Sequence, residues 1–283
     1  MIASPLVTAA WLQEQLGRAD LMILDASLYL PNEPQDAAEL YRQQHIPGAL
    51  RFDIEVFSDL DTPLPHMVPS AGRFARLAGE LGVTPETFIV AYDQKGLFSA
   101  ARAWWLFRLF GHEQVAVLDG GLPHWRDLGL PLEAGENHGE PQAPYPTALN
   151  NRLLCGLGDV QTALTLGQTQ VLDARGAKRF AGEVPEPRPG VASGHMPGSL
   201  NLPYDSLLTA AGTLLSPQEL RQRFQALGVD GLHPVITSCG SGVTAAVLLL
   251  ALSVAGLPDG RLYDGSWSEW GQHQATPKAL GST

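Results

Sequence analysis

Cysteine is rare in this sequence, which has only Cys155 and Cys239 among its 283 residues. Two thiols can form a disulfide, but a structural disulfide is disfavoured in the reducing compartment that we expect for this chain. The two cysteines have no nearby pair of histidines, which argues against a structural zinc site. Each thiol therefore needs an explanation of its own.

Positive charge and long apolar segments are also scarce. The chain has 18 Lys and Arg residues against 29 Asp and Glu residues, which gives a net charge of −11. No basic stripe is available to neutralise phosphates, so the sequence argues against a general nucleic-acid-binding protein but allows a local basic pocket for an anionic substrate. The longest apolar stretch, residues 243–257, is interrupted by polar residues and is too short to span a bilayer.

The N-terminal segment MIASPLVTAAWLQEQLG lacks both the basic start and the sustained apolar core of a secretory signal. Its pattern is typical of the beginning of a helix. We therefore predict a cytoplasmic protein with no membrane partner.

The sequence repeats itself at a domain-sized interval. Three pairs of segments show the repeat: ILDAS at 23–27 and VLDAR at 171–175, HIPGALRFD at 45–53 and HMPGSLNLPYD at 195–205, VLDGGLPHW at 117–125 and LYDGSWSEW at 262–270. The interval is too long for a solenoid repeat and indicates a tandem duplication of one domain.

The boundary between the two domains is predicted where the regular pattern lapses. Residues 136–151 belong to a stretch rich in proline, glycine and polar residues, which is typical of a linker. We expect a first domain over residues 1–135 and a second domain over residues 152–283. A second irregular segment, GEVPEPRPGVASG at 182–194, lies inside the second half, and a long loop within a compact domain is usually functional.

Each half alternates short Val/Ile/Leu-rich segments with helical patterns. Six segments are predicted as strands: LMILDA, FIVAY and VAVLDG in the first half, and TQVLDAR, PVITSC and RLYDG in the second. The segment SAARAWWLFRLFG predicts a buried helix that ends at Gly111. The fold class is therefore α/β, with a mainly parallel sheet flanked by helices in each domain, and sites are expected at the carboxyl ends of the strands.

Cys239 directly follows the predicted strand PVITSC and begins the loop CGSGVTA. Gly240 and Gly242 permit a tight turn whose amides point inward, and the next helix adds the positive end of its dipole. Such a site stabilises an anion and lowers the pKa of a thiol placed in it. We predict that Cys239 is a nucleophile and that Gly240, Gly242, Val243 and Thr244 form its anion-binding cradle. The alternative is a small buried residue at a strand end.

The first half contains a matching loop, YDQKGLFSAARAWW, in which Asp93 aligns with Cys239. A carboxylate cannot act as a sulfur nucleophile, so we predict an inactive first domain and a catalytic second domain. Cys155 has no glycine loop around it and is predicted to be inert.

The loop CGSGVTA, the tandem repeat and the motifs HIPGA, GHMPGS and YDGSWSEW resemble the rhodanese superfamily. The resemblance is strongest to its two-domain 3-mercaptopyruvate sulfurtransferases and covers nearly the whole chain. Thiosulfate sulfurtransferases of the superfamily typically carry basic residues after the cysteine, in the pattern CRKGVT, which suits a sulfonate. Here those positions are Gly240 and Ser241, the mercaptopyruvate pattern.

The resemblance implies a two-step sulfur transfer that requires no metal or organic cofactor. Sulfur moves from 3-mercaptopyruvate to Cys239, which becomes a persulfide while pyruvate is released. A thiol acceptor such as thioredoxin, a small thiol or cyanide then takes the outer sulfur. The resemblance also implies that Arg179 in AKRFAGE and Arg188 in PEPRPG hold the substrate carboxylate, for which paired guanidinium donors are well suited.

Proton handling in the family is attributed to a serine, a histidine and an acid. The matching residues are Ser241, His66 in PLPHMVP and, eleven positions before that histidine, Glu55. The family more often has aspartate at the last position, and Asp53 is a competing candidate.

Residues that recur in both halves are expected to serve the fold. This argument covers the histidines of the H-[IM]-P-G motif, His45 and His195, and the pair Trp125 and Trp270. Trp267 has no such counterpart and is a candidate wall of the substrate pocket.

Three alternative functions remain open at this stage. A thiosulfate:cyanide sulfurtransferase is disfavoured by the loop, and a non-catalytic persulfide carrier or sensor is disfavoured by the two candidate arginines. A cysteine phosphatase of the C-x5-R type would need an arginine where this chain has Ala245.

Overall fold

A computed structural model describes residues 4–281, so the first three residues of the segment inspected for a secretory signal lie outside the described residues. The described chain divides into two compact units. The first unit contains the described residues up to 60, Val68–Asn150 and Ala210–Leu214, and the second contains Asp61–Met67, Asn151–Thr209 and the described residues from 215 onward. Between residues 4 and 281, no helix has the length and apolar character needed to cross a membrane.

The first unit is built on a five-stranded parallel sheet with the strand order β1-β5-β4-β2-β3. Its strands are β1 (Leu6–Val7), β2 (Leu21–Asp25), β3 (Leu50–Arg51), β4 (Phe88–Tyr92) and β5 (Val115–Leu118). Its helices are α1 (Ala9–Gln15), α2 (Ala37–Gln43), α3 (Ala71–Glu80), α4 (Ala100–Leu109) and α5 (Gly121–Asp127).

The second unit repeats the same topology, with the order β6-β10-β9-β7-β8 and all pairs parallel. Its strands are β6 (Leu154–Cys155), β7 (Gln170–Asp173), β8 (Leu200–Asn201), β9 (Val235–Ser238) and β10 (Arg261–Tyr263). Its helices are α6 (Leu157–Leu166), α7 (Ala177–Phe180), α8 (Pro217–Ala226), α9 (Ala245–Val254) and α10 (Ser266–Trp270), and Asn151–Leu153 and Tyr204–Leu207 form short 3-10 turns. The predicted α/β class with two mainly parallel sheets is confirmed.

The six strands that the sequence predicts are the three inner strands of each sheet. All five residues of β4 are buried, as expected for a strand covered by helices on both faces. The outer strands β1, β3, β6 and β8 are each two residues long and were not predicted. Two residues carry no alternation of apolar and polar side chains, so these strands are defined only by the neighbour with which they pair.

The two most apolar helices, α4 and α9, follow the central strands β4 and β9. Residues 245–252 of α9 are all buried, and α4 exposes little more. A helix that is apolar on every side is stable only inside a domain. The predicted buried helix SAARAWWLFRLFG is confirmed as α4, whose last helical residue is Leu109.

The recurring histidines make the same contacts in both units. His45 Nδ1 donates to the carbonyl oxygen of Tyr41 at 2.8 Å, and His195 Nδ1 donates to that of Phe180 at 3.0 Å. Each imidazole stacks on the ring of the same residue, with centroids 4.3 Å and 3.9 Å apart. Both histidines therefore satisfy the carboxyl end of a helix, as expected for residues that serve the fold.

The recurring tryptophans are equivalent in the same way. The indole Nε1–H of Trp125 donates to Pro131 O at 2.8 Å, and that of Trp270 donates to Pro277 O at 2.8 Å. Both side chains are buried. The structural role expected for Trp270 agrees with these contacts.

The segment proposed as a linker packs against the first unit over much of its length. The amides of Gln142 and Tyr145 donate to the carbonyls of Gly79 and Ala75, each at 2.8 Å. A side chain at Gly79 would lie only 2.5 Å from Ala143 O, so the chain crosses α3 at the distance that glycine allows. Along the sequence, this part of the first unit ends at Asn150 and the second unit continues from Asn151.

Two short segments belong to the unit formed by the other half of the sequence. Residues 61–67 are part of the second unit, and residues 210–214 are part of the first. They occupy equivalent places in the repeat, because each precedes the serine that caps a helix, Ser70 for α3 and Ser216 for α8. As a result, a residue of the first half of the sequence can take part in a site of the second unit.

Candidate active site

Cys239 lies one residue beyond β9, at the carboxyl end of the central strand of the second sheet, and is 2% exposed. Its amide donates to Ser266 Oγ at 3.2 Å, and its carbonyl accepts the amide of Trp267 at 2.9 Å. Ser266 Oγ in turn donates to Tyr263 O at 2.8 Å. The backbone of the cysteine is thus held in place by the turn between β10 and α10.

The two glycines of the loop have different surroundings. Gly242 has a φ of +76°, in the left-handed region that favours glycine. Gly240 has no positive φ, but a Cβ atom there would lie 3.0 Å from Nη2 of Arg179. The sequence indicated a turn at both positions; the chain bends at Gly240 as well, and the missing side chain there also leaves room for a guanidinium.

The matching loop of the first unit shows how such a loop binds an anion. The carboxylate of Asp93 is fully buried, and its Oδ2 accepts the amides of Phe98, Ser99 and Ala100 at 2.9, 2.8 and 2.8 Å. Its Oδ1 accepts the amide of Lys95 at 2.9 Å. The amides at the start of α4 thus converge on one negative charge, which the chain itself supplies.

His66 and Ser241 are brought together although 175 positions separate them in the sequence. His66 Nδ1 lies 3.0 Å from Ser241 Oγ, and the histidine is 2% exposed. The backbone of His66 has a φ of +61°, which is strained for a residue with a Cβ. The surrounding second unit therefore holds the imidazole against the loop at a cost in local backbone energy.

The acidic candidates, Glu55 and Asp53, lie in the first unit. Asp53 Oδ1 accepts the amides of Glu55 and Val56 at 2.9 and 3.3 Å, so this carboxylate stabilises a local turn. Glu55 is exposed. The part of either acid in proton handling stays a prediction.

Arg179 lies at the end of the short helix α7, with its guanidinium against Gly240. Its Nη2 donates to Glu186 Oε2 at 2.5 Å, and its Nε lies 3.4 Å from Glu186 Oε1. The Arg179 side chain is 24% exposed, whereas that of Glu186 is 4% exposed. Arg188 follows in the same irregular segment and is partly buried.

Glu186 connects Arg179 to a second arginine, Arg175, which is completely buried. Arg175 donates from Nη2 to Asp173 at 2.7 Å, from Nη1 to Glu186 at 2.8 Å and again from Nη2 to Gly194 O at 2.9 Å. Its guanidinium lies 4.5 Å from the centre of the Trp267 ring. Burial lowers the pKa of Arg175, but the carboxylates of Asp173 and Glu186 outweigh this effect and leave the pKa above its ordinary value.

Neither Arg175 nor Glu186 was recognised in the sequence as part of the site. The sequence contained a signal for Arg175, because the equivalent position of the first half is Ser27. A charged residue that follows a buried strand in only one of the two repeats suggests a role specific to that repeat. Trp267, the candidate pocket wall, is fully buried and donates from Nε1 to Ala192 O at 2.8 Å. It packs beneath Arg175 and supports it.

Metal binding has no support from side-chain clustering in the described part of the chain. Between residues 4 and 281, no group of three or more His, Cys, Asp and Glu side chains is placed so that it could hold a metal ion.

Both halves of the chain match a family model. The rhodanese-like domain matches residues 8–128 and 157–273, which correspond closely to the two units. The chain belongs to the rhodanese family. The two rhodanese-like domains expected from the sequence are thus confirmed.

Several relatives of this rhodanese-family chain align over nearly their whole length. The 3-mercaptopyruvate sulfurtransferase of Escherichia coli K12 is 44% identical over 272 residues, which cover 96% of each chain. That of Mus musculus is 44% identical over 271 residues, which cover 94% of this chain and 91% of the relative. The crystal structure of SseA from Escherichia coli, described as a 3-mercaptopyruvate sulfotransferase, has a TM-score of 0.84 at 43% identity and covers 94% of this chain and 100% of its own.

The other thiol of this rhodanese-family chain, Cys155, has a very different environment. It lies on β6, is 4% exposed and packs in an apolar cluster with Val160 and Val171. Burial raises the pKa of Cys155 to about 12. At neutral pH almost none of this thiol is ionised, as expected for an inert cysteine.

Alkylation should therefore distinguish the two thiols. Native protein treated with iodoacetamide from about pH 7 to about pH 9 should react at Cys239 and not at Cys155, since a thiol of pKa about 12 is only roughly one part in a thousand ionised at the upper limit. Peptide mass spectrometry measures the sites. In denaturant both thiols should react, and equal labelling of Cys155 in the native protein would contradict the prediction.

Proposed function

We propose that this chain is a 3-mercaptopyruvate sulfurtransferase. The observation that carries the proposal is the guanidinium of Arg179 against Gly240, beside a cysteine loop that contains no basic side chain of its own. A guanidinium is thus available as a hydrogen-bond donor close to Cys239, although the loop itself has no basic side chain. Mouse and Escherichia coli relatives of similar length, 44% identical to this chain, are named for the same activity.

The reaction begins with attack of the Cys239 thiolate on the thiol sulfur of 3-mercaptopyruvate. An S–S bond forms, the C–S bond breaks, and its electron pair leaves with the enolate of pyruvate, which then takes a proton. Cys239 is left as a persulfide. A second nucleophile attacks the outer sulfur and restores the thiolate, so the reaction is covalent catalysis by an activated nucleophile.

The loop amides are the proposed cradle of the transferred sulfur. Gly240, Gly242, Val243 and Thr244 follow Cys239 as the loop residues of the first unit follow Asp93, whose carboxylate accepts three amides at the start of the helix. A persulfide anion on Cys239 would meet an equivalent set of donors. We propose that the first domain carries out no sulfur chemistry, since a carboxylate fills its loop.

The proton for the pyruvate enolate is assigned to Ser241. Its hydroxyl lies 3.0 Å from His66 Nδ1, within reach for proton exchange. Glu55 is the proposed acid of this group, with Asp53 as the competing candidate. Ser241 and His66 would act as a relay for the proton that the enolate takes.

Arg179 and Arg188 are the proposed partners of the substrate carboxylate. In 3-mercaptopyruvate the negative charge is separated from the transferable sulfur by two carbon atoms, so cations beside the loop can bind it. In thiosulfate the charge lies on the sulfonate bonded directly to that sulfur, which calls for cations within the loop. The arrangement therefore favours mercaptopyruvate as the donor.

Thiosulfate is the second candidate donor, because an Arabidopsis thaliana relative that is 40% identical is named thiosulfate/3-mercaptopyruvate sulfurtransferase. Steady-state measurement of kcat/KM for both donors tests the assignment. Release of pyruvate in many turnovers is expected, and it separates a catalyst from a persulfide carrier or sensor. A chain that releases no pyruvate, or prefers thiosulfate, contradicts the proposal.

The sulfur acceptor is proposed to be thioredoxin or a small thiol in the cytoplasm. The same assay with reduced thioredoxin, a small thiol or cyanide ranks the acceptors. A rate with thioredoxin no higher than with an equal concentration of a small thiol argues against thioredoxin, and cell fractionation tests the compartment.

Replacing the nucleophile should abolish turnover. Cys239→Ser is expected to remove activity without unfolding the protein, because a serine hydroxyl is far harder to ionise than a thiol. Mass spectrometry after treatment with 3-mercaptopyruvate should find one added sulfur in the wild type and in Cys155→Ser, and none in Cys239→Ser. Persulfide found mainly on Cys155 would sink the mechanism.

Removing either arginine should weaken substrate binding. Arg179→Ala and Arg188→Ala should each lower kcat/KM for 3-mercaptopyruvate about tenfold to a hundredfold, mainly through KM, since each loses a hydrogen bond to a charged group. Arg223→Ala, which removes an exposed arginine on α8, is the matched control. If both variants behave like this control, the carboxylate is held elsewhere.

Removing the imidazole should slow the chemical step. His66→Asn is expected to lower kcat about a hundredfold, which is typical for loss of a general acid or base. Asparagine tolerates a left-handed backbone better than most residues, so the variant should keep the loop conformation. An unchanged kcat, measured with circular dichroism as a check of folding, leaves His66 with a purely structural role.

A further inference from the structure

We infer that Glu186 is a positioning residue that sets the donor specificity of the site. It aims the guanidinium of Arg179 at Gly240 and cancels the charge of Arg179 there. This inference rests on the proposed function and assigns a role to a residue that the proposed function does not place against the donor.

The geometry shows that Glu186 controls the orientation of Arg179. Glu186 Oε2 accepts Nη2 of Arg179 at 2.5 Å, the same nitrogen that lies 3.0 Å from the position of a Cβ on Gly240. The Arg179 side chain lies at the end of a four-residue helix and is 24% exposed. A long, partly exposed side chain has many rotamers, and the bond to Glu186 selects the one that faces the loop.

Glu186 can orient Arg179 because Glu186 is itself immobilised. Its Oε1 accepts Nη1 of Arg175 at 2.8 Å, and Arg175 is anchored in turn by Asp173 at the end of β7 and by Gly194 O. The ring of Trp267 packs against the guanidinium of Arg175, with 4.5 Å between the guanidinium carbon and the ring centre. Arg179 is therefore connected to the end of β7 by a series of charged hydrogen bonds through Glu186, Arg175 and Asp173.

The charges of this cluster balance. Asp173 and Glu186 supply two negative charges, and Arg175 and Arg179 supply two positive charges. These four side chains can offer hydrogen-bond donors to a carboxylate but carry no net charge among themselves. A donor whose carboxylate fits the aimed guanidinium benefits from this arrangement, whereas thiosulfate, a dianion with its charge next to the sulfur, does not.

Removing the charge of Glu186 should shift donor specificity from 3-mercaptopyruvate toward thiosulfate. Partial unfolding would instead lower kcat/KM for both donors. In Glu186→Gln, one side-chain oxygen remains where two accepted from Arg175 and Arg179, so the orientation of Arg179 is weakened, and the cluster gains one net positive charge. We expect kcat/KM for 3-mercaptopyruvate to fall about tenfold through KM, as for loss of a charged hydrogen bond, and kcat/KM for thiosulfate to rise. The rise should diminish at high ionic strength, since salt screens the new charge.

Two further variants separate charge from geometry. Glu186→Asp keeps the charge but shortens the side chain, so it should raise KM for 3-mercaptopyruvate and leave kcat/KM for thiosulfate unchanged. Glu183→Gln removes the same charge from an exposed position of the same irregular segment and should leave kcat/KM unchanged for both donors.

The outcomes distinguish this inference from the proposed function. If the wild type releases no pyruvate from 3-mercaptopyruvate, the proposed function itself fails. If the wild type is active and Glu186→Gln lowers kcat/KM for both donors by the same factor, the proposed role of Glu186 is wrong. It is also wrong if Glu186→Gln has the same kcat/KM values as Glu183→Gln. If circular dichroism shows that Glu186→Gln is unfolded, Glu186→Asp is the deciding variant. An equal fall of kcat/KM for both donors in Glu186→Asp overturns the inference.

Discussion

The site of the second unit depends on one constraint, which is that the buried guanidinium of Arg175 must have partners for its charge. Leaving a buried charge uncompensated is strongly destabilising, so a carboxylate has to reach each free edge of the group. Asp173, at the end of β7, satisfies one edge, and Glu186 satisfies another. Glu186 belongs to the irregular segment 182–194, so its ion pair with Arg175 also holds the loop that carries Arg188. Arg179 donates to the same carboxylate.

The two units show how one fold serves two purposes. Their sheets have the same strand order, and their histidines and tryptophans make equivalent hydrogen bonds. Two differences lie at the carboxyl ends of equivalent strands. After the central strand, the first unit has a carboxylate bound by its own loop amides where the second has a thiol, and after β2 the first unit has a small hydroxyl residue where the second has Arg175 after β7. The two units thus share a scaffold and differ in the side chains at the carboxyl edge of the sheet, where we propose that only the second unit carries out sulfur chemistry.

Much of this molecule is predictable because the relevant signals are local. The inner strands are continuous apolar segments, the buried helices α4 and α9 are apolar on every side, and the cysteine loop is a contiguous motif. The outer two-residue strands are not predictable, because they exist only through pairing with a neighbour. The nearness of Arg179 to Gly240 is not predictable from the loop motif for a related reason: the contact joins residues some sixty positions apart in the chain.

The sequence by itself determined the duplicated α/β scaffold, the thiol at the end of the central strand, and the family to which the chain belongs. It also placed a carboxylate in the equivalent loop of the first half. The resemblance pointed to Arg179, His66 and Ser241, but only the tertiary structure shows the contacts that these side chains make and adds Arg175 and Glu186 to them. The physical reason is that these contacts join segments far apart in the chain: His66 reaches Ser241 because residues 61–67 fold with the second unit, and Arg179 faces Gly240 because Glu186 is held by a buried arginine.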